Sequence, residues 1–366
     1  MKTKIIISGG GTGGHIFPAV SIANEIRRRQ PDAEILFVGA KGGMELEVVP
    51  RYGYPIEAVW ISGIHRQLTI RNVIRNLLFP IKLSSSLRQA AQIIRRFQPQ
   101  AVVGVGGFAS GPLGRMAAAK KIPLFLCEQN AYPGLVNRWL GAKATRILLG
   151  NADARKHFDP AKTVVPGNPI RTFAPLSKTE AAAKMGIDAA KPTLLSLGGS
   201  LGALTLNRAL EAGLQTLIDA DVQLLWQCGK RYYEQLLPRV PQHPNVRLLP
   251  FIEDMGAAYG AADLVISRAG GSTISELIAL SMPALLVPSP NVSEDHQTKN
   301  ALSLSEKGAA ILVKDSEAVQ QLVPEALAVL KDLARMARLK ENIEAMEKHD
   351  AAAEIVDEIE KVLHAE

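Results

Sequence analysis

The chain has 366 residues, 47% of them hydrophobic and 5% aromatic, with a formal net charge of +7. Such a length exceeds one ordinary core and predicts two domains, each apolar enough to bury a parallel sheet. The basic balance points to phosphates or an anionic membrane surface, while scarce aromatics and the lack of a long Lys/Arg block argue against nucleic acid. Cys127 and Cys228 are the only cysteines, which excludes a disulfide framework or zinc spacing and fits a reducing compartment. No window is apolar for long enough to span a bilayer.

Strand-like and amphipathic runs alternate along the chain, the pattern of βαβ units. In the first half the expected strands are 4–8, 34–38, 101–105, 123–127, 145–149 and 162–165. In the second they are 193–197, 222–227, 245–249, 263–267, 283–287 and 309–313. The opening Ile5-Ile6-Ile7 is too short for a signal peptide and reads as the first strand. Pro166-Gly167-Asn168-Pro169 is the expected hinge. The predicted domains are therefore 1–167 and 168–346, with a last helix, about 347–366, returning to the first. The fold class expected is α/β, with two doubly wound Rossmann-like domains facing a central cleft.

After the first strand comes Ser8-Gly9-Gly10-Gly11-Thr12-Gly13-Gly14-His15. A glycine turn leading into a helix leaves N–H groups uncovered where the dipole favours an anion. Gly9 to Gly14 also satisfies G-x-G-x-x-G. The dinucleotide reading needs an acid at the end of the second strand, and Gly39-Ala40-Lys41 stands there instead. A plain tight turn is the third reading. His15 precedes a helix expected to begin near Phe17-Pro18; it either satisfies a local carbonyl or serves as a general base. Between Ile64 and Phe97, basic and apolar residues interleave (Arg66, Arg71, Arg75, Lys82; Leu77, Leu78, Phe79, Ile81). This is either a buried helix with a charged outer face or a surface entering anionic head groups over 64–82.

In the second half Gly198-Gly199-Ser200-Leu201-Gly202 repeats the glycine turn, and Ser267-Arg268-Ala269-Gly270-Gly271-Ser272-Thr273 follows a further strand. Thr273-x-x-Glu276 is either a capping box or places a carboxylate for ribose hydroxyls. Asp295-His296-Gln297 begins an ordinary helix or meets a ligand beyond a strand end. Asp219-Ala220-Asp221 has the D-x-D form of some metal-dependent sugar transferases, but it precedes a strand and reads as a turn, so no metal site is expected.

Together, Gly10-Gly11-Thr12-Gly13-Gly14-His15, Gly104-Val105-Gly106-Gly107-Phe108, Glu128-Gln129-Asn130, Gly167-Asn168-Pro169-Ile170-Arg171, Phe251-Ile252-Glu253-Asp254-Met255 and the Glu276 and Gln297 segments resemble the MurG family over nearly the whole chain. These are bacterial GT-B transferases that add N-acetylglucosamine to lipid I. The resemblance implies UDP-N-acetylglucosamine on the second domain, with uracil at the Ile252 backbone and against Phe251, and ribose on Glu276. It puts the diphosphate by Ser200, Gly271, Ser272 and Thr273 with Arg268 nearby, and sugar hydroxyls on Gln297. Asn130 and Arg171 complete that pocket, and Thr12, Gly13 and Gly14 line the acceptor wall. His15 is implied as base, with Glu128 a lesser candidate, no cofactor, and a peripheral place on the cytoplasmic face of the membrane. Leu201 stands where the family commonly has Gln, so any polar contact at that point is lost; some members have Gln-Gln where this chain has His296-Gln297, so only the second Gln carries over. The alternatives are another GT-B UDP-sugar transferase, a UDP-N-acetylglucosamine 2-epimerase, or a non-catalytic nucleotide-binding protein at the membrane.

Overall fold

The computed structural model describes residues 2–63, 77–171, 173, 176–199, 201–292 and 295–365. Two compact units result: residues 1–171 with 349–366, and residues 172–348. The first holds seven strands, β1 (Lys4–Ser8), β2 (Glu34–Ala40), β3 (Ile56–Val59), β4 (Ala101–Gly104), β5 (Leu124–Glu128), β6 (Arg146–Leu149) and β7 (Thr163–Val164). They pair in the order β3-β2-β1-β4-β5-β6-β7, every pair parallel. The second holds β8 (Thr193–Leu197), β9 (Gln223–Gln227), β10 (Val246–Leu249), β11 (Leu264–Ser267), β12 (Ala284–Leu286) and β13 (Ile311–Leu312). Their order, β10-β9-β8-β11-β12-β13, is again wholly parallel.

Continuous apolar runs suit such strands because helices cover both faces. In β1, Ile5 and Ile7 enter one core cluster and Ile6 the opposite one, as the two-residue side-chain period requires. Strand order reverses between β1 and β4 and again between β8 and β11. At such a switch the connections leave in opposite directions and open a crevice beyond the carboxyl ends of the strands. The glycine turns stand there.

β3 lies outside the twelve expected strands. It is an edge strand, following Pro55, with only Val59 fully buried, so it lacks the apolar run that marked the others. The helix expected to start near Phe17-Pro18 starts at Gly13 instead, and Pro18 lies inside it. Gly13 and Gly14 hid this start because glycine disfavours helix, and Pro18 merely withholds one i→i−4 donor.

The helix Ala351–His364 belongs to the first unit. Its Ile355, Val356 and Ile359 join Ile16, Val20 and Ile22 of the helix Gly13–Arg29 in one core cluster. Arg29 fastens the pair: it donates to Glu25 Oε1 at 2.6 Å, Asp357 Oδ1 at 2.5 Å, Glu360 Oε2 at 3.0 Å and the Ala353 carbonyl at 3.0 Å. The Arg28 guanidinium, with Arg29 beside it, holds the Glu25 carboxyl down at about 2, although burial acts the other way.

A lowered carboxyl pKa stabilises the fold fully above its unfolded value, 4.5, and the gain is lost as the pH falls towards about 2. Amide exchange in 351–364, corrected for intrinsic rates, should therefore accelerate across that window and do so less in Glu25→Gln. Arg29→Ala should lower the unfolding free energy by about 2 kcal/mol, the scale of charge-assisted hydrogen bonds. Unchanged exchange and unchanged denaturant midpoints would show that the ion network contributes nothing.

Candidate functional site

The first glycine turn is built by close approach of two backbones. A Cβ on Gly107 would lie 2.5 Å from the Gly10 carbonyl oxygen, and one on Gly106 would lie 2.8 Å from the His15 ring. Gly106 and Gly107 also hold φ of +95° and +81°, which side chains rarely tolerate. The loop after β4 thus lies directly on the loop after β1. Thr12 is the N-cap of the helix Gly13–Arg29, and its carbonyl accepts from the amides of His15 and Ile16. Gly13 and Gly14 begin the first turn, the end of a helix where the dipole favours an anion.

His15 Nδ1 sits 3.0 Å from the Gly10 carbonyl and 3.4 Å from Thr12 Oγ1. A carbonyl only accepts, so Nδ1 carries the hydrogen and the neutral ring keeps its lone pair on Nε2. The local-carbonyl reading and the base reading are therefore compatible: the carbonyl selects the tautomer that a base needs.

Glu128 closes β5 and is 3% exposed. Oε1 accepts from the Asn130 amide and side chain, Oε2 from the Gly134 amide and Asn137 Nδ2, at 2.9–3.2 Å. Four donors on two oxygens describe a carboxylate that shapes the 128–137 loop, and Asn130 is oriented by it. Gln129 donates to the Val105 carbonyl and accepts from Asn168 Nδ2 through its own carbonyl. The Arg171 guanidinium lies 4.3 Å above the Phe17 ring. Burial, with the Glu128 charge adding to it, pushes the Cys127 thiol up to about 12, which removes it from nucleophilic chemistry at neutral pH.

In the second unit the helix Gly271–Ala279 begins with N-cap Gly270, and Gly271, Ser272 and Thr273 make its first turn. No capping box forms, because Thr273 is already inside the helix. Glu276, 7% exposed, instead accepts from the Tyr259 hydroxyl at 2.9 Å. Arg268 donates to the Val287 and Pro288 carbonyls and to Asp315 Oδ1 at 2.5 Å, so its charge is balanced inside the unit. Gln297 Oε1 accepts from the Ser289 amide at 2.9 Å, and the helix His296–Ser305 starts one residue before it. Ile252 donates its amide to Gln227 Oε1 at 2.9 Å, while Phe251 beside it is half-buried. Asp221 pairs with Lys191 and Asn245 ahead of β9, away from the carboxyl ends of the strands. Among the described residues no group of His, Cys, Asp or Glu could hold a metal ion.

Ser200 lies outside the described residues, as do Arg66, Arg71 and Arg75 of the basic-apolar segment. Within the described part of that segment, Leu77 is 73% and Ile81 58% exposed, while Lys82 donates to Ser62 Oγ at 2.8 Å. No described helix is long and apolar enough to cross a membrane.

Sequence reasoning missed Gln227, Tyr259 and Glu45. Gln227 bridges the second glycine turn and the Phe251–Ile252 segment: Nε2 donates to the Gly199 carbonyl at 3.1 Å while Oε1 holds Ile252. Its signal was a polar residue ending the apolar run Leu224-Leu225-Trp226. Tyr259 had none beyond an aromatic in a small-residue helix. Glu45, 1% exposed, accepts from the amides of Gly11 and Ala40 at 2.9 and 2.8 Å. Its only mark was the flanking Gly42-Gly43.

Comparison with known proteins agrees with this architecture. Residues 5–149 match the glycosyltransferase family 28 N-terminal domain and residues 193–358 the family 28 C-terminal domain. A Parabacteroides distasonis protein named UDP-N-acetylglucosamine–N-acetylmuramyl-(pentapeptide) pyrophosphoryl-undecaprenol N-acetylglucosamine transferase is 47% identical, over 99% of both chains. The crystal structure of Acinetobacter baumannii MurG matches with a TM-score of 0.74 at 28% identity, covering 99% of this chain and 100% of that one. A putative UDP-N-acetylglucosamine 2-epimerase from Listeria monocytogenes shares the fold alone, at 16% identity and a TM-score of 0.67, over 100% and 98% of the chains. With a relative that similar from end to end, the chain belongs to the UDP-N-acetylglucosamine–N-acetylmuramyl-(pentapeptide) pyrophosphoryl-undecaprenol N-acetylglucosamine transferases, GT-B enzymes of glycosyltransferase family 28.

Proposed function

We propose that this enzyme moves N-acetylglucosamine from UDP-N-acetylglucosamine to the muramyl 4-hydroxyl of lipid I, giving lipid II for peptidoglycan. The observation that carries this reading is the 47% identity, along the full length, to a relative whose name specifies that transfer. The unit 172–348 takes the donor: ribose on Glu276, the diphosphate on the amides of Gly271 to Thr273 together with Ser200, sugar hydroxyls on Gln297, and the base beside Phe251 and Ile252. Because Gln227 already engages the Ile252 amide, the Ile252 carbonyl is the group left for the base. Arg268 then acts at one remove, holding the Val287–Pro288 turn. Thr12, Gly13 and Gly14 meet the acceptor diphosphate, and Asn130 and Arg171 contribute to the sugar's surroundings.

In the reaction the acceptor oxygen bonds to the anomeric carbon on the face opposite the leaving diphosphate, inverting it from α to β. The hydroxyl proton passes to His15 Nε2, and the C1–O bond electrons leave on UDP. Negative charge grows on that diphosphate in the transition state, so outward amides at a helix end stabilise the transition state more than the ground state. Glu128, with four donors on its oxygens, supports the loop instead of taking the proton. Leu77, Leu78 and Ile81, with the basic residues of 64–82, rest on anionic head groups at the cytoplasmic face of the membrane, where a polyprenyl acceptor resides.

Labelled UDP-N-acetylglucosamine with lipid I in vesicles should give lipid II; turnover only with another acceptor, or epimerisation without any, would end this reading. His15→Ala should lower turnover by ~10²–10⁴-fold with UDP-sugar affinity nearly unchanged, the signature of a lost proton acceptor. Glu in place of Arg71, Arg75 and Lys82 should release the protein from phosphatidylglycerol vesicles. Undiminished vesicle binding would mean that this segment is not the membrane surface.

A further inference from the structure

One peptide unit in the first glycine turn is gripped from both sides. Its N–H, on Gly11, donates to Glu45 Oε2 at 2.9 Å; its carbonyl, on Gly10, accepts from His15 Nδ1 at 3.0 Å. The three groups form a chain from carboxylate through peptide to imidazole. Space for the carboxylate is made by glycines. A Cβ on Gly10 would lie 2.2 Å from Glu45 Cδ, on Gly43 2.3 Å from Oε1, and on Gly39 2.4 Å from Cγ. Both carboxylate oxygens are held by backbone amides, Gly11 and Ala40, and the side chain is 1% exposed.

We propose that Glu45 is the positioning residue for His15, acting through the Gly10–Gly11 peptide. A negative charge on the N–H side of a peptide polarises it and strengthens its carbonyl as an acceptor, by roughly 10–30% per bond in such chains. The carbonyl then fixes the Nδ1–H tautomer and stabilises the imidazolium formed when Nε2 takes a proton. In hydrolase triads a carboxylate does this by direct contact with the imidazole; here a peptide stands between. Glu45 therefore belongs to the reaction although no substrate reaches it. This rests on the reading of His15 as the base.

Glu45→Gln keeps the shape but removes the charge, and its amide NH₂ must oppose one of the two backbone N–H donors. Side-chain ¹⁵N spectra should show His15 as the Nδ1–H tautomer in the wild type and with a measurably larger Nε2–H fraction in Glu45→Gln. Turnover should fall by up to about 10–100-fold, the range seen where the partner that orients a metal-bound imidazole is lost, with KM for UDP-N-acetylglucosamine unchanged. In a His15→Ala background the same substitution should cost nothing further. Gly39→Ala presses a methyl against Glu45 Cγ without removing the carboxylate and should shift the His15 signals alike, which covers a Glu45 variant that fails to fold. Wild-type tautomer signals in both variants, or losses that multiply with His15→Ala, overturn the proposal. If His15→Ala itself turns over normally, the base assignment falls, and the tautomer spectra still decide what Glu45 does.

Discussion

Main chain lies against main chain where β1 and β4 end, and the rest of the first unit's site follows from that contact. No side chain fits between Gly10 and Gly107, so the two loops share a surface of bare peptide. Bare peptide presents dipoles fixed by the fold, which need no reorganisation when charge arrives. The contact also sets the height of Gly10's carbonyl, and that carbonyl decides which nitrogen of His15 bears the hydrogen. The parallel sheet makes it possible: only at the strand-order reversal do two adjacent loops leave a crevice between them.

Two buried carboxylates near these loops, Glu45 and Glu128, are held by amides and Asn side chains. The choice has a physical logic. A Lys or Arg partner would neutralise them but would also add a long, mobile side chain beside loops built by close backbone approach. Amide partners satisfy the oxygens while keeping the loops rigid. In the second unit Arg268 is a cation by the expected diphosphate site, and Asp315 offsets it, with Thr205 Oγ1 donating to that acid's second oxygen. Both units also place a glycine-led helix N-terminus, Gly13 and Gly271, just beyond a strand end.

Much of this was readable beforehand, and the reasons differ by element. Buried parallel strands announce themselves as apolar runs, so β1, β2 and β8 fell where expected, and glycine after each strand end marked the turns. β3 escaped because an edge strand needs no apolar run. The early start of the helix at Gly13 escaped because its first two residues are glycines, poor helix formers. Candidate residues with side-chain chemistry, such as His15 and Glu276, were singled out from motif and resemblance. Gln227, Tyr259 and Glu45 were not, since each works by holding another residue across at least 17 positions of chain, and no local pattern records such a pairing. The capping-box reading of Glu276 shows the converse: correct spacing for a local motif, void because the helix begins at Gly271 and already contains Thr273.

The first unit is discontinuous, completed by a helix that the ribosome makes only after the entire second unit. Until then Ile16, Val20 and Ile22 lack the apolar partners that Ile355, Val356 and Ile359 supply. Domains released in chain order usually consolidate in that order; here the later one can finish first. The nascent amino-terminal half waits with an open flank, so the helix that carries His15 sits on a scaffold that closes only after the second unit has been made.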